Sequence, residues 1–170
     1  PVMCNSGCIP PEPGYLEGLR ALCDRHGVVL IFDEVITGFR MGLGGAQAHF
    51  GVTPDLAIFG KAMASGYPIA AVVGRRAVME TIASGRAVHA GTMNSGVPCV
   101  AAAAATIRVL ERDAVHPRLH ALAARLDASL RAAARSAGVP LHVQGTGPMR
   151  HAGFTPLPRV TDHAGTLSYD

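Results

Sequence analysis

Leu30-Ile31-Phe32-Asp33-Glu34-Val35 and Leu56-Ala57-Ile58-Phe59-Gly60-Lys61, separated by a glycine-rich stretch, decide the fold. Each is a short apolar run that closes on ionisable residues. Val28 to Phe32 is continuous and β-branched rather than alternating, which predicts a strand buried on both faces. Leu56 to Phe59 predicts a shorter strand of the same kind. In open α/β sheets, ligands bind beyond the carboxyl ends of the strands. Asp33 and Lys61 are therefore expected at a shared rim, an acid and an amine facing one crevice.

Upstream, Leu16, Leu19, Leu22, Cys23 and His26 recur at helical spacing, and Gly27 is placed to end that helix. Between the two strands, Ile36 to Gly45 is longer than an ordinary connection and reads as a flexible working loop. Ala46 to Phe50 fits one helical turn. Beyond Lys61, a loop through Ser65-Gly66-Tyr67-Pro68 leads to a third buried strand, Ile69 to Val73. Arg75 to Ala83 fits a helix, and His89 to Gly96 a polar loop. Pro98 suits the first turn of the helix carrying Ala101 to Leu110. Leu119, Leu122, Leu126 and Leu130 mark a long amphipathic helix that Gly138 should stop. Leu141 to Val143 and Met149 to Phe154 predict two further strands. The expected organisation is residues 1–113 as part of a large α/β domain and 114–170 as a connecting helix with the start of a smaller α+β lobe.

With 170 residues, 49% hydrophobic and 16% charged, the chain can bury a real core and is not a disordered tail. Its net charge of +3 comes without a basic run, which gives no electrostatic case for nucleic acid. Val97 to Ile107, the longest apolar stretch, is far too short for a membrane span. No charged leader precedes an apolar segment, and Cys4, Cys8, Cys23 and Cys99 form no regular framework, so a reduced, cytoplasmic setting is expected. Pro1 stands where an initiator methionine would, and the expectation is a segment of a longer protein.

A strand-end lysine with an aspartate on the neighbouring strand suits imine chemistry. A lysine amine condenses with aldehydes, and a carboxylate beside a pyridine nitrogen keeps that nitrogen protonated. On spacing alone, an ordinary strand-end salt bridge is the simpler reading, since such pairs are common and contribute little.

Ile31-Phe32-Asp33-Glu34-Val35-Ile36-Thr37-Gly38-Phe39-Arg40 closely resembles the acidic strand of class III, pyridoxal-phosphate-dependent aminotransferases. The resemblance continues through Gly44-Gly45-Ala46-Gln47, Phe50 to Leu56, Gly60-Lys61 and Ala90-Gly91-Thr92. Gly14 to Arg20 and His26-Gly27 share it upstream. It is strong from about Asn5 to Thr92 and collinear, though weaker, to the end. Several motifs in the right order are more specific than any one alone.

The resemblance implies the large domain of a fold-type I pyridoxal-phosphate enzyme, a mainly parallel sheet flanked by helices. It implies that Lys61 holds pyridoxal 5'-phosphate as an internal aldimine and shuttles protons. Asp33 pairs with the pyridine nitrogen, Val35 packs on the ring, and Thr92 binds the phosphate across a homodimer. Glu34 is left as structural, because its side chain points to the opposite face from Asp33. The implied substrates are a small amino donor and a keto acceptor. Ile36 and the Phe39-Arg40 to Gln47 segment lean toward the glutamate-1-semialdehyde 2,1-aminomutase subgroup. Ala64 to Pro68 and Met93 to Pro98 depart from it, and a transaminase stays equally open.

The family's phosphate cup, ring-stacking aromatic residue and carboxylate-binding arginine have no counterpart in these 170 residues. The segment is therefore expected to carry the lysine half of a site and not to turn over alone. Two rivals remain: a nicotinamide oxidoreductase, which lacks its glycine fingerprint here and leaves Lys61 unexplained, and an inactive remnant that only dimerises.

Weaker signals carry less. Met41 to Gly45 lacks the ending of a P-loop. His116 and His120 sit four apart on a helix, a zinc-compatible spacing, yet no third ligand is near, and they read as solvent-facing. Cys4 and Cys8 are one isolated pair, so no metal site is expected. His89 reads as polar surface, and Arg118, Arg125, Arg131 and Arg135 as a solvated helix face.

Overall fold

The computed structural model describes residues 1–169. The chain divides into two compact units, one formed by residues 13–113 with Pro1, the other by residues 2–12 and 114–169.

In the first unit, α1 (Tyr15–His26) ends where Gly27 adopts a left-handed conformation, φ 63°, that glycine reaches without steric cost. β1 (Ile31–Asp33) follows, then α2 (Gly45–Phe50), β2 (Leu56–Phe59) and a 3₁₀ turn at Lys61–Ala64. β3 (Ala71–Gly74), α3 (Arg76–Ala83) and α4 (Val97–Arg112) complete the unit, with Pro98 in the first turn of α4. The sheet order is β1-β2-β3. β1 and β2 run parallel with Asp33 opposite Ile58, while β3 pairs antiparallel to β2, Phe59 opposite Ala71.

Leu16, Cys23, Leu30, Phe32 and Val52 form one buried cluster, which joins α1 to β1. Ala57, Phe59, Met63, Ala64 and Ala103 form a second, which seats the 3₁₀ turn against α4. The first strand is shorter than its sequence predicts and is not buried on both faces. Phe32 is buried, but Val28, Val29 and Ile31 are about half exposed. The exposed–buried–exposed alternation over Ile31, Phe32 and Asp33 shows that only the Phe32 face is covered, by the cluster it shares with α1. β3 is likewise largely exposed rather than buried.

The second unit holds α5 (Val115–Ala137), ended by Gly138 at φ 67°, and the antiparallel pair β4 (Leu141–Gln144) and β5 (His151–Phe154). A short α6 (His163–Thr166) is capped by the Asp162 carboxylate. His116 and His120 on α5 are half-buried and not solvent-facing. Arg131, expected on a solvated face, donates to the Val143 carbonyl on β4. Among the described residues no helix is long and apolar enough to cross a membrane.

Candidate active site

Parallel pairing of β1 and β2 brings their carboxyl ends to one edge. The ladder extends one residue past β1, where Glu34 N donates to Ile58 O at 2.8 Å. Val35 then lies against Gly60: a Cβ added to Gly60 would meet Val35 Cγ1 at 3.6 Å. The residue before Lys61 is thus packed against the residue two beyond Asp33.

Asp33 is exposed at that edge, and its Oδ1 accepts from Val35 N at 2.9 Å. This bond orients the carboxylate and leaves its second oxygen available. Lys61 is exposed and begins the 3₁₀ turn at φ 44°, in the left-handed region that non-glycine residues enter rarely. Among the described residues it forms no salt bridge, which removes the strand-end ion pair as an account of it. It lines an open cleft of about 600 Å³ together with Arg40, Ser65, Tyr67 and Ile69. Arg40 donates from Nε to Ile36 O at 3.0 Å, which holds a guanidinium in the wall of the same cleft. Sequence reasoning quoted Arg40 within a motif and gave it no role.

Thr92 is exposed in the turn before α4 and makes no hydrogen bond to Asp33 or Lys61 among the described residues. Its neighbours Met93, Asn94 and Ser95 line a second cleft of about 600 Å³, which shares Pro68 and Ile69 with the first.

Glu34 is the residue that the structure raises most. It is fully buried. Its carboxylate accepts from Thr37 Oγ1 at 2.8 Å, Ala46 N at 2.6 Å, Gln47 N at 3.1 Å and Gln47 Nε2 at 3.3 Å. Two of these donors are backbone amides in the first turn of α2, whose N-cap, Gly44, provides no side-chain cap. A buried carboxylate with its oxygens occupied is tolerated, whereas one without partners is not. The loop from Ile36 to Gly45, expected to be flexible, is therefore held by one side chain, through Thr37 near its start and Ala46 and Gln47 just past its end. Asp33 and Val35 flank Glu34 in the chain, so fixing Glu34 fixes the direction in which both project. The Asp-Glu order in sequence marks the position, but of the donors only Thr37 is close in the chain, and the others come from residues 12 and 13 positions away.

Asp55 is the second residue that spacing did not single out. It is buried, and its Oδ2 accepts from Leu30 N and from Arg20 Nη1, each at 2.8 Å. Arg75 lies 3.1 Å from Oδ1. The Leu30 amide first, then the Arg20 guanidinium, hold the Asp55 carboxyl below its usual range, and Arg75 adds to this. One carboxylate thereby links α1, the entry to β1 and the start of α3.

Residues 1–164 match the family model for class-III aminotransferases. An omega-transaminase from Sphaerobacter thermophilus is 36% identical over 95% of this chain and 37% of its own, with a TM-score of 0.82. A glutamate-1-semialdehyde-aminomutase from Pseudomonas aeruginosa PAO1 is 29% identical over 100% of this chain and 40% of its own, TM-score 0.84. The FumI protein of Sphingopyxis sp. MTA144, solved in its PLP internal aldimine form, is 31% identical over 84% of this chain and 34% of its own, TM-score 0.76. The chain thus spans well under half the length of these relatives, and it belongs to the class-III aminotransferase family.

Proposed function

We propose that this chain is the lysine-bearing part of a pyridoxal-phosphate-dependent enzyme that moves an amino group between a small amino donor and a keto acid. The observation that carries this reading is the shared edge of β1 and β2, where an exposed Asp33, Val35 packed on Gly60, and a Lys61 with no salt bridge among the described residues emerge together. These residues fit the cofactor. An amine free of ion pairs and opening into a cleft suits an aldehyde, and an exposed carboxylate suits a pyridine nitrogen.

When bound, pyridoxal phosphate supplies an aldehyde that condenses with amines and a ring that accepts electrons. Lys61 Nζ holds the cofactor between turnovers. As a free amine, Lys61 Nζ would be the base that takes the proton from the substrate carbon. Asp33 would pair with the pyridine nitrogen and favour its protonated form. Val35 would hold one face of the ring, and Thr92 would hold the phosphate of a partner's site in a proposed homodimer. The reading places the enzyme in the cytoplasm.

An intramolecular transfer, as in an aminomutase, is the second reading. It is supported by the likeness to the Pseudomonas aminomutase over the whole chain. An absorbance titration with pyridoxal phosphate tests the proposal on the complete reading frame that contains this chain, beside its Lys61→Ala form. The expected result is a visible band that requires Lys61 and bleaches with an amino donor. No such band in the intact protein would overturn it. Net consumption of a separate keto acid would favour the transaminase, and its absence with product formation the aminomutase.

A further inference from the structure

The second unit contains a pair of thiols that the amino-transfer reading does not use. Met3 and Ile9 form an isolated antiparallel bridge, with Met3 N donating to Ile9 O at 3.0 Å and Ile9 N to Met3 O at 3.3 Å. They are a hydrogen-bonded pair. Cys4 and Cys8 are the residues just inside that pair, at the two ends of a turn in which Gly7 at φ 84° and Cys8 at φ 53° reverse the chain. Paired residues that exchange both bonds lie about 5.5 Å apart at Cα, and the thiols just inside the Met3–Ile9 pair meet side chain to side chain. A disulfide accepts Cα separations of about 4.4–6.8 Å.

Burial and chemistry divide the two roles. Cys8 is buried and Cys4 half-buried, with Cys4 Sγ 3.7 Å from Met149 Sδ. The Cys4 thiol hydrogen-bonds to Cys8 and, against the opposing effect of burial, lowers the Cys8 pKa to about 7; the Thr146 backbone and Arg150 assist. Cys8 is therefore substantially thiolate at neutral pH, while Cys4 is the more accessible sulfur.

We propose that Cys4 and Cys8 are a reversible dithiol–disulfide site that exchanges with low-molecular-weight disulfides. The Cys4 proton passes along its hydrogen bond to Cys8, and the resulting Cys4 thiolate attacks the small disulfide, forming a mixed disulfide and releasing one thiolate, which takes that proton from Cys8. Cys8 thiolate then attacks Cys4 Sγ. The Cys4–Cys8 bond forms, the mixed bond breaks, and the second small thiol leaves. Two protein thiols are oxidised, one small disulfide is reduced to two thiols, and the two protons pass to the departing thiolates.

The test equilibrates the full chain against reduced and oxidised glutathione at neutral pH, quenches with acid, and alkylates with N-ethylmaleimide before tryptic mapping. Cys4 and Cys8 share one tryptic peptide ending at Arg20, apart from Cys23 and Cys99. The expected product is that peptide unalkylated and lighter by two hydrogens, with Cys23 and Cys99 alkylated. Cys8→Ser should accumulate a glutathione adduct on Cys4 at least roughly tenfold above wild type, because the resolving thiol is gone. Two outcomes in the wild-type protein would overturn the site: both thiols alkylated under conditions that oxidise Cys23 or Cys99, or a lasting adduct on Cys4 beside an intact Cys8. Neither depends on how the variant folds.

Discussion

Glu34 and Gly45 approach so closely that a Cβ on Gly45 would sit 2.9 Å from Glu34 Oε1 and Cδ, and nearer still to Oε2. Gly45 also holds φ at 61°, in the left-handed region. Its missing side chain lets the first turn of α2 press its amides onto the carboxylate.

Gly45→Ala is expected to destabilise the fold by roughly 1–3 kcal/mol, from backbone strain plus the clash with a side chain that cannot withdraw. Glu34→Gln should be milder than Glu34→Ala, since it keeps the volume and one accepting oxygen but sets an NH₂ against backbone donors. Denaturant melts rank the three variants. Protease sensitivity should rise within residues 35–47 before it rises elsewhere.

Gly138→Ala provides the contrast. Gly138 shares the positive φ, but nothing lies within 4 Å of an added Cβ. Only backbone strain remains, and a cost of about 1 kcal/mol is expected by the same melts.

Asp55 gives the fold an acid-sensitive hub. Its folded-state pKa is depressed, so its stabilisation is full above the ordinary carboxylate range and fades as pH falls through the folded value. Asp55→Asn should therefore cost roughly 1–3 kcal/mol near neutrality, because the Leu30 amide and Arg20 lose a charged acceptor. The difference from wild type should narrow as pH drops below about 4. Urea melts at neutral and acid pH check both parts.

Asp33→Asn tests the proposed chemistry apart from cofactor capture. It removes the charge that would protonate the ring but leaves Lys61 intact. The complete protein should retain a Lys61-dependent visible band while turnover falls on the order of a hundredfold or more. Unchanged turnover would separate Asp33 from the ring nitrogen.

Local chemistry made much of this fold legible. Gly27 and Gly138 each end a helix where the sequence places them, because a left-handed residue terminates a helix through its own backbone freedom. The fold and family could be read from the linear order of motifs around Asp33, Lys61 and Thr92. The depth of β1 could not. Its apolar run describes what the residues prefer, whereas exposure depends on what packs over each face, and only the Phe32 face meets the α1 cluster.

Helix ends, the ends of the two strands, and the acid and amine that close them are legible in the order of residues alone. Those properties depend on a residue and its near neighbours. Tertiary structure alone decided that β3 runs antiparallel, that Glu34 ties down the loop to Gln47, and that Asp55 draws Arg20, Leu30 and Arg75 together. A carboxylate accepts from whichever donors the packed chain brings within 3 Å or so, and only the assembled fold fixes which those are.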